Sequence, residues 1–135
     1  MDPVVPLRGL IAGLAAAGAM SAVEALAWAR WGRGAVFEWQ ETEVVAERLL
    51  GRTSLRAALV LHVLFGGVAG SVFGIGVRLA PVAPTLVLGS AFGFGMWIIT
   101  LLIHAPVTGS AARGIGVPVS LVSHLVYGTL LGGWV

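Results

Sequence analysis

Apolar residues fall in four long blocks, at about 7–28, 55–79, 85–104 and 117–135, separated by short polar breaks. Each is close to the roughly 20 helical residues that cross a bilayer core. The blocks predict an all-α integral membrane bundle of four transmembrane helices, with 1–6 as a short extramembrane start. A secretory signal competes for the first block, on Arg8, the apolar run and Ala25-Leu26-Ala27. The run's length and Glu24 favour a span.

One sizeable polar segment, 34–53, interrupts the pattern. Within it Phe37, Val44, Val45 and Leu49 recur near helical spacing, and Gly51 suits a C-cap. The spacing predicts a short amphipathic helix over 37–50, on the membrane surface or over the bundle. Its charges (Glu38, Glu41, Glu43, Glu47, Arg48) read as a solvated connector, with a partner-docking surface as the alternative. Thr53 or Ser54 can cap the second span. Arg78, Pro81 and Pro84 predict a tight turn, 105–110 a break after the third span, and Pro118 the first turn of the fourth.

Composition agrees with a membrane protein. Of 135 residues, 58% are hydrophobic and 10% charged, and mean hydropathy is +0.97. Soluble domains carry about a quarter charged residues. All eight basic residues are arginine. The high isoelectric point comes from few charges, so nucleic-acid binding is not expected. The absence of cysteine excludes disulfides, thiolate metal sites and cysteine nucleophiles.

A pattern recurs. His62-Val63-Leu64-Phe65-Gly66, followed by Gly70 and Gly74, returns as His124-Leu125-Val126-Tyr127-Gly128, followed by Gly132. Both copies read His-x-x-aromatic-Gly-x-x-x-Gly. Spans two and four run the same way, so the chain reads as two parallel helical-hairpin repeats about an axis normal to the membrane. Each span carries a stripe of small residues suited to close helix packing: Gly9 and Gly13; Gly66, Gly70 and Gly74; Gly89 and Gly93; Gly128 and Gly132.

Each stripe also carries a polar group. Glu24 precedes Trp31 by seven residues, and His62 and His124 follow the starts of their spans by seven. At 1.5 Å per residue each lies roughly 10 Å below the same membrane surface. His104 is shallower on that side. Ionisable groups inside a membrane are costly and mark function by default. Three chemistries fit the set Glu24, His62, His104 and His124. One is haem b, with His62 and His124 as axial ligands. Another is a divalent metal held by the three imidazoles and the carboxylate. The third is a proton relay. Plain interhelical hydrogen bonding is the structural alternative. Arg113, with Thr108 and Ser110, reads as a contact for a partner or an anionic headgroup.

Loops one and three carry Arg30, Arg33, Arg48, Arg52, Arg56 and Arg113, against Arg8 and Arg78 on the other side. The positive-inside rule puts those loops in the cytoplasm and both termini outside, in a multi-pass inner (plasma) membrane protein. The Gly-rich first helix ending in Glu24, the charged first loop and His124-Leu125-Val126-Tyr127-Gly128 resemble small YagU-like four-helix bacterial membrane proteins. The resemblance implies a four-span inner-membrane protein and carries no activity. With no catalytic or nucleotide signature, the chain reads as a non-catalytic membrane subunit, homo-oligomeric or part of a larger complex. A small oligomeric transporter or channel, or a structural assembly protein, is the other class.

Overall fold

A computed structural model describes residues 4–51, 54–79 and 82–135, and among these all regular structure is helical. The elements are α1 (Val4–Trp31), α2 (Phe37–Leu50), α3 (Leu55–Leu79), α4 (Thr85–Thr108) and α5 (Gly116–Trp134), with a 3₁₀ turn at Arg33–Ala35. Four of them, α1, α3, α4 and α5, are long and apolar enough to cross a membrane.

Helix α1 begins at Val4, inside the expected extramembrane start. Pro6 is tolerated there because a first-turn N–H has no helical partner to lose. Ser54 Oγ accepts from Ala57 N at 3.3 Å, a cap for α3; Thr53 and Pro81 lie outside the described residues. Helix α4 does not break at 105. It continues through Pro106 to Thr108 and closes on Gly109 in the left-handed conformation. Proline this near the end removes a single helical bond, and Thr108 Oγ1 donates to the His104 carbonyl at 2.8 Å. His104 is therefore held within regular helix rather than at its frayed end.

Helix α1 packs along α3, α4 packs along α5, and α1 against α5 joins the two pairs. The small-residue stripes meet at these contacts. Gly9 and Gly13 lie on Gly66 and Gly70, with Gly74 beside Val5 and Gly9. Gly89 and Gly93 lie on Gly128 and Gly132. The two pairs use matching positions. Gly13 and Ala17 oppose Gly70 and Gly66, while Gly89 and Gly93 oppose Gly132 and Gly128. Tyr127 Oη donates to the Gly66 carbonyl at 2.6 Å, tying α5 to α3. Ala12, Ala16, Ala17, Met20, Phe73, Tyr127 and Leu131 form the central core.

Helices α3 and α4 scarcely touch, and α2 bridges the gap at one end. This corrects the solvated-connector reading of 34–53. Phe37, Glu38, Trp39, Glu41, Thr42 and Ala46 of α2 are buried, while Leu49 and Leu50 are exposed. The water-facing charges are Glu47 and Arg48, with Glu43 ion-paired to Arg33. Helix α2 turns one polar face inward because that face, rather than the aliphatic one, has partners waiting for it.

Candidate functional site

Beneath α2 the structure gathers Glu24, His62, His104 and His124, together with Glu38 and Glu41. All six are buried, and Glu24 is fully so. Each histidine pairs with its own glutamate.

Glu38 is the hub. Its Oε1 accepts a short hydrogen bond from Ser120 Oγ on α5 and lies 3.4 Å from His124 Nδ1. Its carboxyl also stands beside that of Glu24 on α1. Glu24 Oε2 accepts from Trp39 Nε1 at 2.6 Å and lies 3.4 Å from His62 Nε2 on α3. Glu24 Oε1 and Glu38 Oε2 have no donor. Two carboxylate oxygens cannot satisfy each other unless a proton lies between them. The pairs His62–Glu24 and Glu38–His124 thus stand next to each other, on four elements.

The tautomer of His124 follows from its neighbours. Nδ1 is 2.9 Å from the Ser120 carbonyl, which only accepts, so Nδ1 carries the hydrogen. In the neutral ring Nε2 is then the acceptor for Thr100 Oγ1, 3.4 Å away. The contact has a counterpart across the molecule, since Thr100 stands on α4 relative to Gly89 and Gly93 as Glu24 stands on α1 relative to Gly13 and Ala17.

A branch leaves the hub along α2. Glu41, one turn beyond Glu38, places Oε1 3.0 Å from His104 Nδ1 on α4. The His104 ring lies on Phe37, centroids 4.3 Å apart. Burial, with the Glu38 carboxylate alongside, pushes the Glu41 carboxyl from 4.5 up to about 8. Between those values the folded chain binds a proton at Glu41 that the unfolded chain releases, so this group's contribution to stability falls as pH rises through the window. The Tm in detergent micelles is expected to fall from about pH 4.5 to about pH 8, and Glu41→Gln to remove one proton's worth of that slope. An unchanged slope in Glu41→Gln would assign it to other groups.

Sequence reasoning found the four groups on the long helices and missed Glu38 and Glu41. One signal was present: Glu38, Glu41 and Thr42 have i, i+3, i+4 spacing and share a face. Arg113 is exposed in the α4–α5 loop and takes no part in the cluster. The glycines are packing positions.

Below the cluster a cavity of about 170 Å³ opens between α3 and α4. His62, Glu38, Glu41, Thr42, Thr100 and His124 form its polar end, and Phe65, Met96, Ile99 and Ile103 its apolar walls. The volume suits one six-membered ring, since a cavity of about 150 Å³ takes benzene. A tetrapyrrole does not fit it, and both His124 nitrogens face protein groups, so haem b ligated by His62 and His124 does not match this geometry. Among the described residues no set of three or more His, Asp or Glu side chains is arranged to hold a metal ion. Pairwise contacts take the place of the four-ligand site that spacing suggested.

No protein-family model matches the chain, and neither a curated protein nor a solved structure matches it.

Proposed function

We propose that this is a small integral membrane protein, two parallel helical hairpins capped by α2, whose buried Glu/His network relays protons along the polar end of the cavity beneath α2. Four apolar spans, and outward-facing Val60, Leu64, Val68 and Val72 on α3, support insertion. Matching glycine contacts in the two helix pairs support the repeat. The arginine bias of loops one and three supports a cytoplasmic α2, with both termini outside.

The observation that carries the relay is the carboxyl contact of Glu24 and Glu38, with one oxygen on each lacking any donor. A proton held there has an imidazole at either end of its path, each with a ring nitrogen beside a carboxyl. Among the described residues the opposite half of the bundle holds no matching groups. The relay therefore serves the cavity and does not by itself carry protons across the bilayer. The chain then acts as a membrane subunit, in a homo-oligomer or a larger complex, that delivers or removes protons at mid-depth.

Infrared difference spectroscopy on the protein in lipid nanodiscs tests this. The wild type is expected to show a broad shared-proton carboxyl signal, lost in both Glu24→Gln and Glu38→Gln. Two independent, narrow carboxyl bands in the wild type would sink the relay.

A further inference from the structure

We propose that the cavity between α3 and α4 is a binding site for the head of a lipid-soluble dihydroxy-aromatic molecule, a quinol-type ring on an apolar tail. The inference rests on the relay reading and names what the relay serves.

The cavity is two-natured. Its inner end is polar and its outer walls are apolar. Phe65, Ile99 and Ile103 line it and are also 49%, 49% and 41% exposed on the outer surface, so the opening faces sideways between α3 and α4. With those helices in a bilayer, the mouth opens to lipid. A water-soluble substrate would need a route from the aqueous side, and α2 covers that end with Glu38, Glu41 and Thr42.

The volume, about 170 Å³, limits the head to one ring. One lining group reaches a buried position without a hydrogen-bond partner and outside the carboxyl pair: His62 Nε2, on a residue 8% exposed and at the long distance of 3.4 Å from Glu24 Oε2. Thr100 and His124 add a hydroxyl and a ring nitrogen nearby. Buried polar atoms left unmatched are expensive, so a ligand that supplies the missing partner is favoured. A hydroxyl both donates and accepts, which suits the His62 nitrogen in either tautomer and the Thr100 hydroxyl on the same lining. A bare acyl chain fills the walls and leaves the polar end unmatched. Phe65 and Met96 add an aromatic face and a thioether, both good neighbours for a ring. Only binding is proposed, with hydroxyl protons within reach of the path that begins at His62.

The probe is a dihydroxybenzene bearing a ten-carbon alkyl chain, added to wild-type protein in nanodiscs while thermal unfolding is followed. Binding to the folded state raises Tm in a saturable way. Two controls share the chain: the dimethoxybenzene, which cannot donate, and an alkylcyclohexane with no oxygen. The expected result is saturable protection by the dihydroxy probe, with an apparent Kd at least about tenfold weaker for the dimethoxy form. Ala69→Phe, which fills the apolar wall away from the carboxyls, is expected to abolish protection and keep the shared-proton infrared signal. Equal protection by all three molecules would mean an acyl-chain groove and would overturn the proposal. So would the absence of protection, including the case in which cross-linking between Phe65 and Ile99 positions shows a second copy covering the mouth. After either failure the infrared signal still tests the relay separately.

Discussion

Glu38→Ala is expected to lower the stability of the folded protein by about 3–6 kcal/mol, the summed cost of leaving two or three buried polar groups unmatched. Ser120 Oγ loses its acceptor, and the Glu24 carboxyl loses its neighbour. Helix α2 also loses its tie to α5, and its hold on the bundle then rests on Trp39–Glu24, Glu41–His104 and apolar contacts. Part of the loss is offset, because a buried carboxylate is itself costly to desolvate. The isosteric change separates these effects. Glu38→Gln keeps an acceptor for Ser120 and offers an amide donor to Glu24, so it is expected to stay within about 1–2 kcal/mol of wild type. It cannot share a proton with Glu24. Thermal unfolding in detergent, with protease cleavage in α2 as a local probe, reads both variants. If Glu38→Ala unfolds with the wild type and its α2 stays protected, Glu38 is not what holds the roof.

The second large effect lies at the α4–α5 contact. A Cβ on Gly128 would stand 2.2 Å from the Gly89 carbonyl oxygen and 2.8 Å from Gly93 Cα. Both obstacles are backbone, so no rotamer change relieves them and the helices must move apart. Overpacking a core usually costs about 1–3 kcal/mol. Gly128→Leu is expected to exceed that range, because separation also loses the neighbouring contacts along the stripe. Gly18→Leu is the control, since a Cβ there meets nothing within 4 Å. It is expected to be neutral or slightly stabilising, because leucine is the better helix former. The damage from Gly128→Leu should reach the cluster. His124 is one turn away, and its contacts to Thr100 and Glu38 are already 3.4 Å long. Loss of the shared-proton infrared signal together with lowered Tm is the expected pair of results. A Gly128→Leu protein as stable as Gly18→Leu would mean that the stripe contact is not close-packed.

Much of the fold was legible in the chain because its causes are local. Long apolar runs allow helix and little else, and Gly or Pro ends them. The stripes Gly66-Gly70-Gly74 and Gly128-Gly132 mark where backbones meet, since only small residues permit that approach. Counting residues from the span ends brought Glu24, His62 and His124 to one level, because helical rise is nearly constant.

The company those groups keep was decided in three dimensions. Helix α2 carries polar residues on more than one face, and its aliphatic positions pointed the reading the wrong way. Which face turns in depends on what lies opposite. Trp39 meets Glu24 across 15 residues of chain, Glu41 meets His104 across 63, and Glu38 meets Ser120 across 82. A glutamate is expelled to water unless such partners are waiting, and local spacing cannot announce them. The sequence alone determined four apolar helices, their glycine seams and a level of ionisable groups. Tertiary structure alone decided that α2 folds inward, that the groups join as Glu/His pairs rather than around one ion, and that the gap between α3 and α4 stays open. The physical reason is that burying charge is unfavourable residue by residue, and becomes tolerable only when separate elements complete the hydrogen bonds together.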